Sequence, residues 1–317
     1  MISFSLPRKH VPDISLLMQV QNHPHNYLVD CGALHTFSVR QLQRVRAVFV
    51  SHTHVDHWIE FDTLLRHQIQ DNIEVVVCGP AGITERVRAK LHAYNWNLLN
   101  ERSARYRVRE IVDCDHIVEH RLHPPHYLPE RRPGYDEVLF ENDALRVECT
   151  LLDHRIPSVA YCFVTPERVQ LQLDGSGYRG GPWAAALKAA FEADTPDTPI
   201  EIDGTTHRAA ALFHLLQRHP GIRVGVVLDH AISDSNRAAI RTLLRGADRV
   251  YIESYFLERD RALALKKAHS CSVASARTLS GLAIREVYPI HHSRKYSEEE
   301  IEQLRAEFYA AYDPDEG

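Results

Sequence analysis

The segment Ala47-Val48-Phe49-Val50-Ser51-His52-Thr53-His54-Val55-Asp56-His57 runs from an apolar strand straight into three imidazoles and a carboxylate. Imidazole is the commonest protein ligand for zinc-like ions, and a carboxylate is its usual anionic companion. The run Ala47 to Val50 reads as a buried strand, so the His/Asp cluster falls where that strand gives way to a loop. His52 and His54 alternate at period two and can face one point. Asp56 and His57 lie just beyond and can serve a second. Ligands crowded this closely point to two adjacent metals and to a hydrolase.

Working outward, short β-like runs recur on both sides of this segment. They are Ile14 to Val20, Tyr27 to Cys31, Val48 to Ser51, Val75 to Cys78, Leu145 to Leu152, Tyr161 to Thr165, Val169 to Leu173, Val224 to Leu228, Val250 to Glu253 and Val287 to Ile290. Helical patterns fall between them at Thr63 to Ile69, Ile83 to Tyr94, Trp183 to Phe191, Ser235 to Arg245, Ser272 to Leu282 and Ser297 to Tyr309. Pro182 suits a first helical turn. Ser297-Glu298-Glu299-Glu300 reads as a capping box with acids at the positive end of the helix dipole. Strands mixed with helices in both halves predict α/β layers, two sheets with helices outside. The Pro-rich stretches Leu122 to Gly134 and Ala193 to Gly204 are expected to be irregular surface loops. Neither resembles a flexible Gly/Ser linker, so residues 1–317 are expected to form a single domain.

A chain of 317 residues that is 44% hydrophobic and 25% charged is ordinary for a soluble globular protein. The formal net charge of -5 advertises no global field for nucleic acid. Cys31, Cys78, Cys114, Cys149, Cys162 and Cys271 are scattered without a CxxC pair and are expected to be reduced, mostly as small core hydrophobes. Met1 to Lys9 lacks a positive region followed by an apolar one, and no window is long and apolar enough to span a bilayer. The expectation is a cytoplasmic protein with no membrane role. The 21 histidines are the compositional oddity.

Further ligand candidates end later apolar runs: Leu152-Asp153-His154, Leu228-Asp229-His230 and Pro289-Ile290-His291-His292. Groups at the ends of several strands converge on one rim of a sheet. Any one of these histidines alone reads as a surface or hydrogen-bonded residue. The rival for Asp229 is a helix N-cap role beside Ser233 and Asp234.

Taken together, these motifs resemble the metallo-β-lactamase superfamily, from about residue 14 to residue 296. His52-Thr53-His54-Val55-Asp56-His57 is similar to its HxHxDH motif, and Leu28-Val29-Asp30-Cys31-Gly32 to the Asp-x-Gly turn ahead of it. The resemblance implies an αββα sandwich of two mixed sheets flanked by helices. It also implies two divalent metal ions, most simply Zn²⁺, with Mn²⁺ and Fe²⁺ also suited to these ligands. One would be held by His52, His54 and His154 and the other by Asp56, His57 and His291, with Asp229 bridging. His230 and His292 match less well than their neighbours and stay outside the set, and Asp30 is expected to order a ligand from behind.

Further segments resemble the ribonuclease Z branch. Val250-Tyr251-Ile252-Glu253-Ser254-Tyr255-Phe256 is similar to its His-Glu-Ala-Thr-Phe motif, with Glu253 as the acid. His269-Ser270-Cys271 is similar to His-Ser-Thr. Ile290-His291-His292-Ser293-Arg294-Lys295-Tyr296 is similar to Thr-His-Phe-Ser-x-Arg-Tyr, and Cys78-Gly79-Pro80-Ala81-Gly82 to a Gly-Pro-x-Gly turn. Three departures stand out. Tyr255 replaces Thr, Glu60 and Asp62 add acids just after the metal motif, and the interval of the branch's Lys-rich RNA-gripping arm holds Gly180-Gly181-Pro182 but only one lysine, Lys188.

The resemblance implies a binuclear phosphodiesterase acting on tRNA precursors, in which metal-bound hydroxide attacks the phosphodiester. Asp56 takes part in that chemistry, and His269, oriented by Glu253, serves as the general acid. The alternative is hydrolysis of a small phosphodiester or other small ester without action on tRNA. A third reading, a non-catalytic module on a degenerate fold, is disfavoured by the intact ligand set. A homodimer is the expected partner arrangement. Arg131-Arg132 reads as a solvated loop rather than as a phosphate contact.

Overall fold

The computed structural model describes residues 2–6 and 13–315. Parts of the amino-terminal stretch read for a leader, Met1 and Pro7 to Lys9, lie outside them. The described residues pack as two compact units, one formed by those up to 164 together with those from 222 onward and the other by 165–221.

In the larger unit, the run Val45–Phe49 becomes an inner strand of an eight-stranded sheet. It pairs in parallel with Asn26–Val29 on one side and Glu74–Pro80 on the other. Antiparallel strands extend both flanks, Ile2–Ser5 and Leu16–Val20 at one edge, His116–Leu122 and Pro129–Arg131 at the other. The second sheet has six strands. Glu286–Ile290, Arg249–Glu253 and Arg223–Val227 run in parallel, and Pro157–Val164, Arg146–Asp153 and Phe140–Glu141 continue it antiparallel.

Side-chain alternation gives each sheet two apolar faces, as parallel central strands require. Ala47, Phe49, Val29 and Cys78 point one way and share a core with Tyr161, Phe163, Val226 and Tyr251 of the second sheet. Val48, Val50, Leu28 and Val77 point the other way, onto Phe61, Leu64, Val87 and Leu91 of two helices, Phe61–His67 and Ile83–His92. Outside the second sheet, Cys162, Val227, Val250 and Ile252 meet Ile240, Leu279 and Phe308 from three more helices. This is the αββα sandwich of two mixed sheets flanked by helices. No described helix is long and apolar enough to cross a membrane.

The smaller unit has a core of its own, built on Trp183, Leu187, Ile200, Ile202 and Leu212. Two antiparallel strand pairs, Arg168–Leu171 with Leu216–His219 and the hairpin Pro199–Ile202 with Thr205–Arg208, accompany the helix Trp183–Glu192. The stretch 193–204, expected to be irregular, therefore contains a strand. So does 122–134, where Pro129–Arg131 pairs with His116–Leu122. The strand expected to reach Ser51 ends at Phe49, because Ser51 leaves the ladder, its N–H donating to the Asp30 carboxylate and its carbonyl accepting from Val159 N. Ser297 caps its helix as its sequence predicts, accepting from Glu300 N while the Glu300 carboxylate accepts from Ser297 N.

Candidate metal centre

Five strand ends, one short helix and one loop deliver the cluster. His52 and His54 leave the strand Val45–Phe49, and Asp56 and His57 open the short helix Val55–Trp58. His154 follows Arg146–Asp153, Asp229 follows Arg223–Val227, and His291 follows Glu286–Ile290. His269 comes from the loop after the helix Arg261–Lys267 and meets Glu253 at the end of Arg249–Glu253. Left-handed backbone at non-glycine residues marks several of these turns, Arg155 at φ 62° after His154, Ala268 at φ 59° before His269 and His291 itself at φ 55°, and also the neighbouring turn at Asp30, φ 57°. Such conformations persist where surrounding contacts over-determine them.

Asp229 stands at the centre. Its Oδ2 lies 3.4 Å from His154 Nε2 and 3.8 Å from His52 Nε2. Its Oδ1 lies 3.3 Å from His57 Nε2 and 2.7 Å from His291 Nδ1. Asp56 completes the second group, its Oδ2 3.6 Å from His291 Nε2 and 3.7 Å from His57 Nε2. Ligand atoms of His52, His54, His154 and Asp229 fall within 4.8 Å of one another, and so do those of Asp56, His57 and His291. One carboxylate oxygen thus faces each group.

These residues fit a pair of cations. His52 Nε2, His57 Nε2, Asp229 Oδ1 and both nitrogens of His291 are buried without a hydrogen-bond partner, an expensive arrangement unless something else satisfies them. The electrostatics agree. Burial opposes charging His57, yet Asp229 and Asp30 outweigh it and push its imidazole up to about 10. His291 is held well above its usual range by the same kind of contest, again with Asp229 foremost among the raising groups. The pocket stabilises positive charge at its centre. His52 departs the other way, pushed down to about 2 by burial and then by His57, so it stays a neutral lone-pair donor.

Behind the cluster, Asp30 is fully buried and accepts from Ser51 N at 2.7 Å, Ser51 Oγ at 2.6 Å and His57 Nδ1 at 2.6 Å. Holding the Nδ1 proton leaves His57 Nε2 as the nitrogen turned to the site. His154 is set likewise, with Nδ1 donating to the Ala268 carbonyl at 2.7 Å. Gly32 lets the Asp30 turn press against the metal loop, since a Cβ there would sit 1.8 Å from the Asp56 carbonyl oxygen.

Glu253 and His269 form a separate pair, Oε1 to Nδ1 at 2.5 Å. Glu253 also accepts from the backbone of His230 and Ser270. Burial would raise the Glu253 carboxyl, but His269 holds it down at about 2, and Glu253 in return raises His269 against the pull of burial.

The doubtful neighbours find other work. His230 Nδ1 faces its neighbour Leu228's carbonyl and His292 Nδ1 faces that of Ser254, each at 2.9 Å. Ser233, not Asp229, caps the following helix. Glu60 is occupied by the backbone and ring of His35, and Asp62 by Lys90. Arg132 is tied to Asp136. Sequence reasoning missed the backbone partner of His154 and the aromatic partner of His269. Tyr255 stacks on that imidazole at 4.0 Å between ring centroids and 9° between planes.

No family model matches the chain. It is 29% identical to ribonuclease Z of Deinococcus radiodurans over 290 residues, covering 88% of this chain and 86% of the relative. Human tRNase Z, short form, shares the fold with a TM-score of 0.55 at 14% identity, covering 93% of each chain. A metallo-β-lactamase fold protein of Bacillus subtilis, YhfI, gives 0.56 at 12% identity over 98% of this chain and 92% of its own.

Proposed function

We propose that this chain, a ribonuclease Z-like protein of the metallo-β-lactamase superfamily, is a metal-dependent phosphodiesterase that processes tRNA precursors. The observation that carries the reading is Asp229, with one oxygen toward each of two ligand groups and the Glu253–His269 pair beside it. His52, His54 and His154 would hold one divalent ion and Asp56, His57 and His291 the other, with Asp229 shared. Ions so held supply the Lewis acidity that makes water a nucleophile at neutral pH and offset charge growing on the phosphoryl oxygens.

The chain's own groups do the rest. Asp30 and the Ala268 carbonyl fix the tautomers of His57 and His154, so that Nε2 of each is available. Asp56, the part-exposed carboxylate of the cluster, is held ionised by His291 and His57 against burial and can accept the proton that water gives up. As the bond from phosphorus to the leaving oxygen breaks, its electron pair goes to that oxygen, which takes the proton from His269. Glu253 occupies His269 Nδ1, leaving Nε2 to deliver it.

A second reading, hydrolysis of a small phosphodiester, is favoured by one observation. Residues 165–221, in the interval where an RNA-gripping arm would lie, carry seven acidic and five basic side chains, with Lys188 the single lysine. Turnover of a tRNA precursor and of bis(p-nitrophenyl) phosphate, measured side by side, separates the two. Cleavage of the precursor at a single position supports the first reading, and turnover of the small ester alone rejects it.

A further inference from the structure

We propose that Tyr255 is a positioning residue for His269, clamping the face of that imidazole so that its proton is delivered along one direction. This rests on the phosphodiesterase reading above and adds to it a residue that the motif resemblance does not supply, since Tyr255 stands where the similar motif has Thr.

The geometry is specific. The two rings lie nearly parallel, 9° apart with centroids at 4.0 Å. Glu253 fixes the same imidazole in its plane through Nδ1. An in-plane hydrogen bond alone leaves a ring free to rock about that bond, and a face-to-face neighbour removes the remaining freedom. On the other sides, His154 approaches at 4.8 Å and 63°, and Phe256 at 6.0 Å and 77°. His291 lies at 6.3 Å and 58°, and Asp229 Oδ2 is 3.5 Å from Nδ1, so His269 is surrounded by two carboxylates and four rings, with Tyr255 the one that stacks face to face.

Tyr255 packs only against the margin of the neighbouring apolar cluster. Phe256, the next residue, is buried among Leu257, Cys271 and Tyr296, whereas Tyr255 is only half-buried. Its ring lies 5.1 Å from that of His291, so it borders both the acid and the ligand cluster. Stacked aromatic pairs gain more than area burial alone provides, and a general acid misaligned by a small angle loses much of its effect.

The test uses two diesters that differ in how much they need an acid. Bis(p-nitrophenyl) phosphate releases a stable phenolate that needs no proton. An RNA diester, as precursor tRNA or as a dinucleoside monophosphate, releases a ribose alkoxide that does. Tyr255→Ala should lower kcat on the RNA diester roughly ten- to hundred-fold, a part of the roughly 10²- to 10⁴-fold that a general acid contributes, while changing the nitrophenyl ester by less than about threefold. Tyr255→Phe, which keeps the stack, should restore the RNA rate. His269→Ala should show the same substrate-selective loss, and the double variant should lose no more than His269→Ala alone. Equal losses on both substrates with reduced metal content would make Tyr255 merely structural and overturn the proposal, as would an unchanged RNA rate. A wild-type protein that hydrolyses neither diester would overturn the phosphodiesterase reading itself.

Discussion

Replacing Asp30 by Asn removes one charge and leaves the shape nearly intact. The backbone is not the reason for any effect, because Asn tolerates the left-handed conformation that Asp30 adopts at φ 57°. The hydrogen bonds are. Two donors, Ser51 Oγ and His57 Nδ1, both at 2.6 Å, meet on the same oxygen, and Ser51 N takes the other. An amide can present its oxygen to one side only, so an N–H of Asn must face at least one of these donors. His57 then shifts its proton to Nε2, the nitrogen 3.3 Å from Asp229. That nitrogen can no longer bind a cation. Loss of such a supporting carboxylate typically weakens metal affinity about 10- to 100-fold, which is roughly 1.4 to 2.7 kcal/mol. The metal-free protein should lose about 1.5 to 3 kcal/mol as well, the usual scale for hydrogen bonds to a charged group. Competition with a chromogenic chelator measures the first, and thermal unfolding after chelation measures the second. Metal affinity within about twofold of wild type, with unchanged melting, would refute the argument that Asp30 sets the His57 tautomer.

Gly32→Ala should unfold the turn or expel the metal loop, because its Cβ would fall 1.8 Å from the Asp56 carbonyl and 2.8 Å from Ile14 N. Overpacking against backbone costs on the order of 1–3 kcal/mol or more, read as a lowered Tm with reduced metal content. Thiol titration at pH 8 should find one fast cysteine, Cys114, in the native protein and six after unfolding. Burial pushes Cys78, Cys149, Cys162 and Cys271 up to about 12, and Cys31 is buried and raised as well. Lys188→Ala should change KM for a tRNA precursor by less than about twofold, since a single lysine amid excess acid supplies little counterion release. A larger rise in KM would place an RNA contact in that segment.

What could be read from the chain and what could not follows one physical line. Strands buried on both faces, such as Val45–Phe49 and Arg223–Val227, announce themselves as apolar runs, and the candidate ligands stand at their ends. The hairpin Arg105–Asp113 with His116–Leu122 escaped, although it contains the longest strand of the sheet. Its buried positions include Arg109 and Glu119, which neutralise one another at 2.8 Å, so the hydrophobic pattern is broken where the fold is not. The short helix Val55–Trp58 hid inside the ligand motif, whose polar residues mask its periodicity. At the site, residue types and order grouped the same candidate ligands that the structure brings together. The support was less legible, because it joins residues distant in sequence: Asp30 with His57, and Ala268 with His154. Glu60 and Asp62, a source of concern next to a phosphate site, turn out to be paired with His35 and Lys90. Tyr255 read as one more aromatic at a strand end. Only the fold shows that its ring lies flat on His269.

The central claim is that His52, His54, His154, Asp56, His57, His291 and Asp229 hold two metal ions that drive phosphodiester hydrolysis. Elemental analysis of the purified protein, alongside its turnover before chelation, after chelation and after metal is restored, tests that claim most directly. The account predicts two divalent ions per chain, activity that disappears with them and returns with them, and about one ion or fewer in Asp229→Ala. Full turnover by the metal-stripped protein would contradict it.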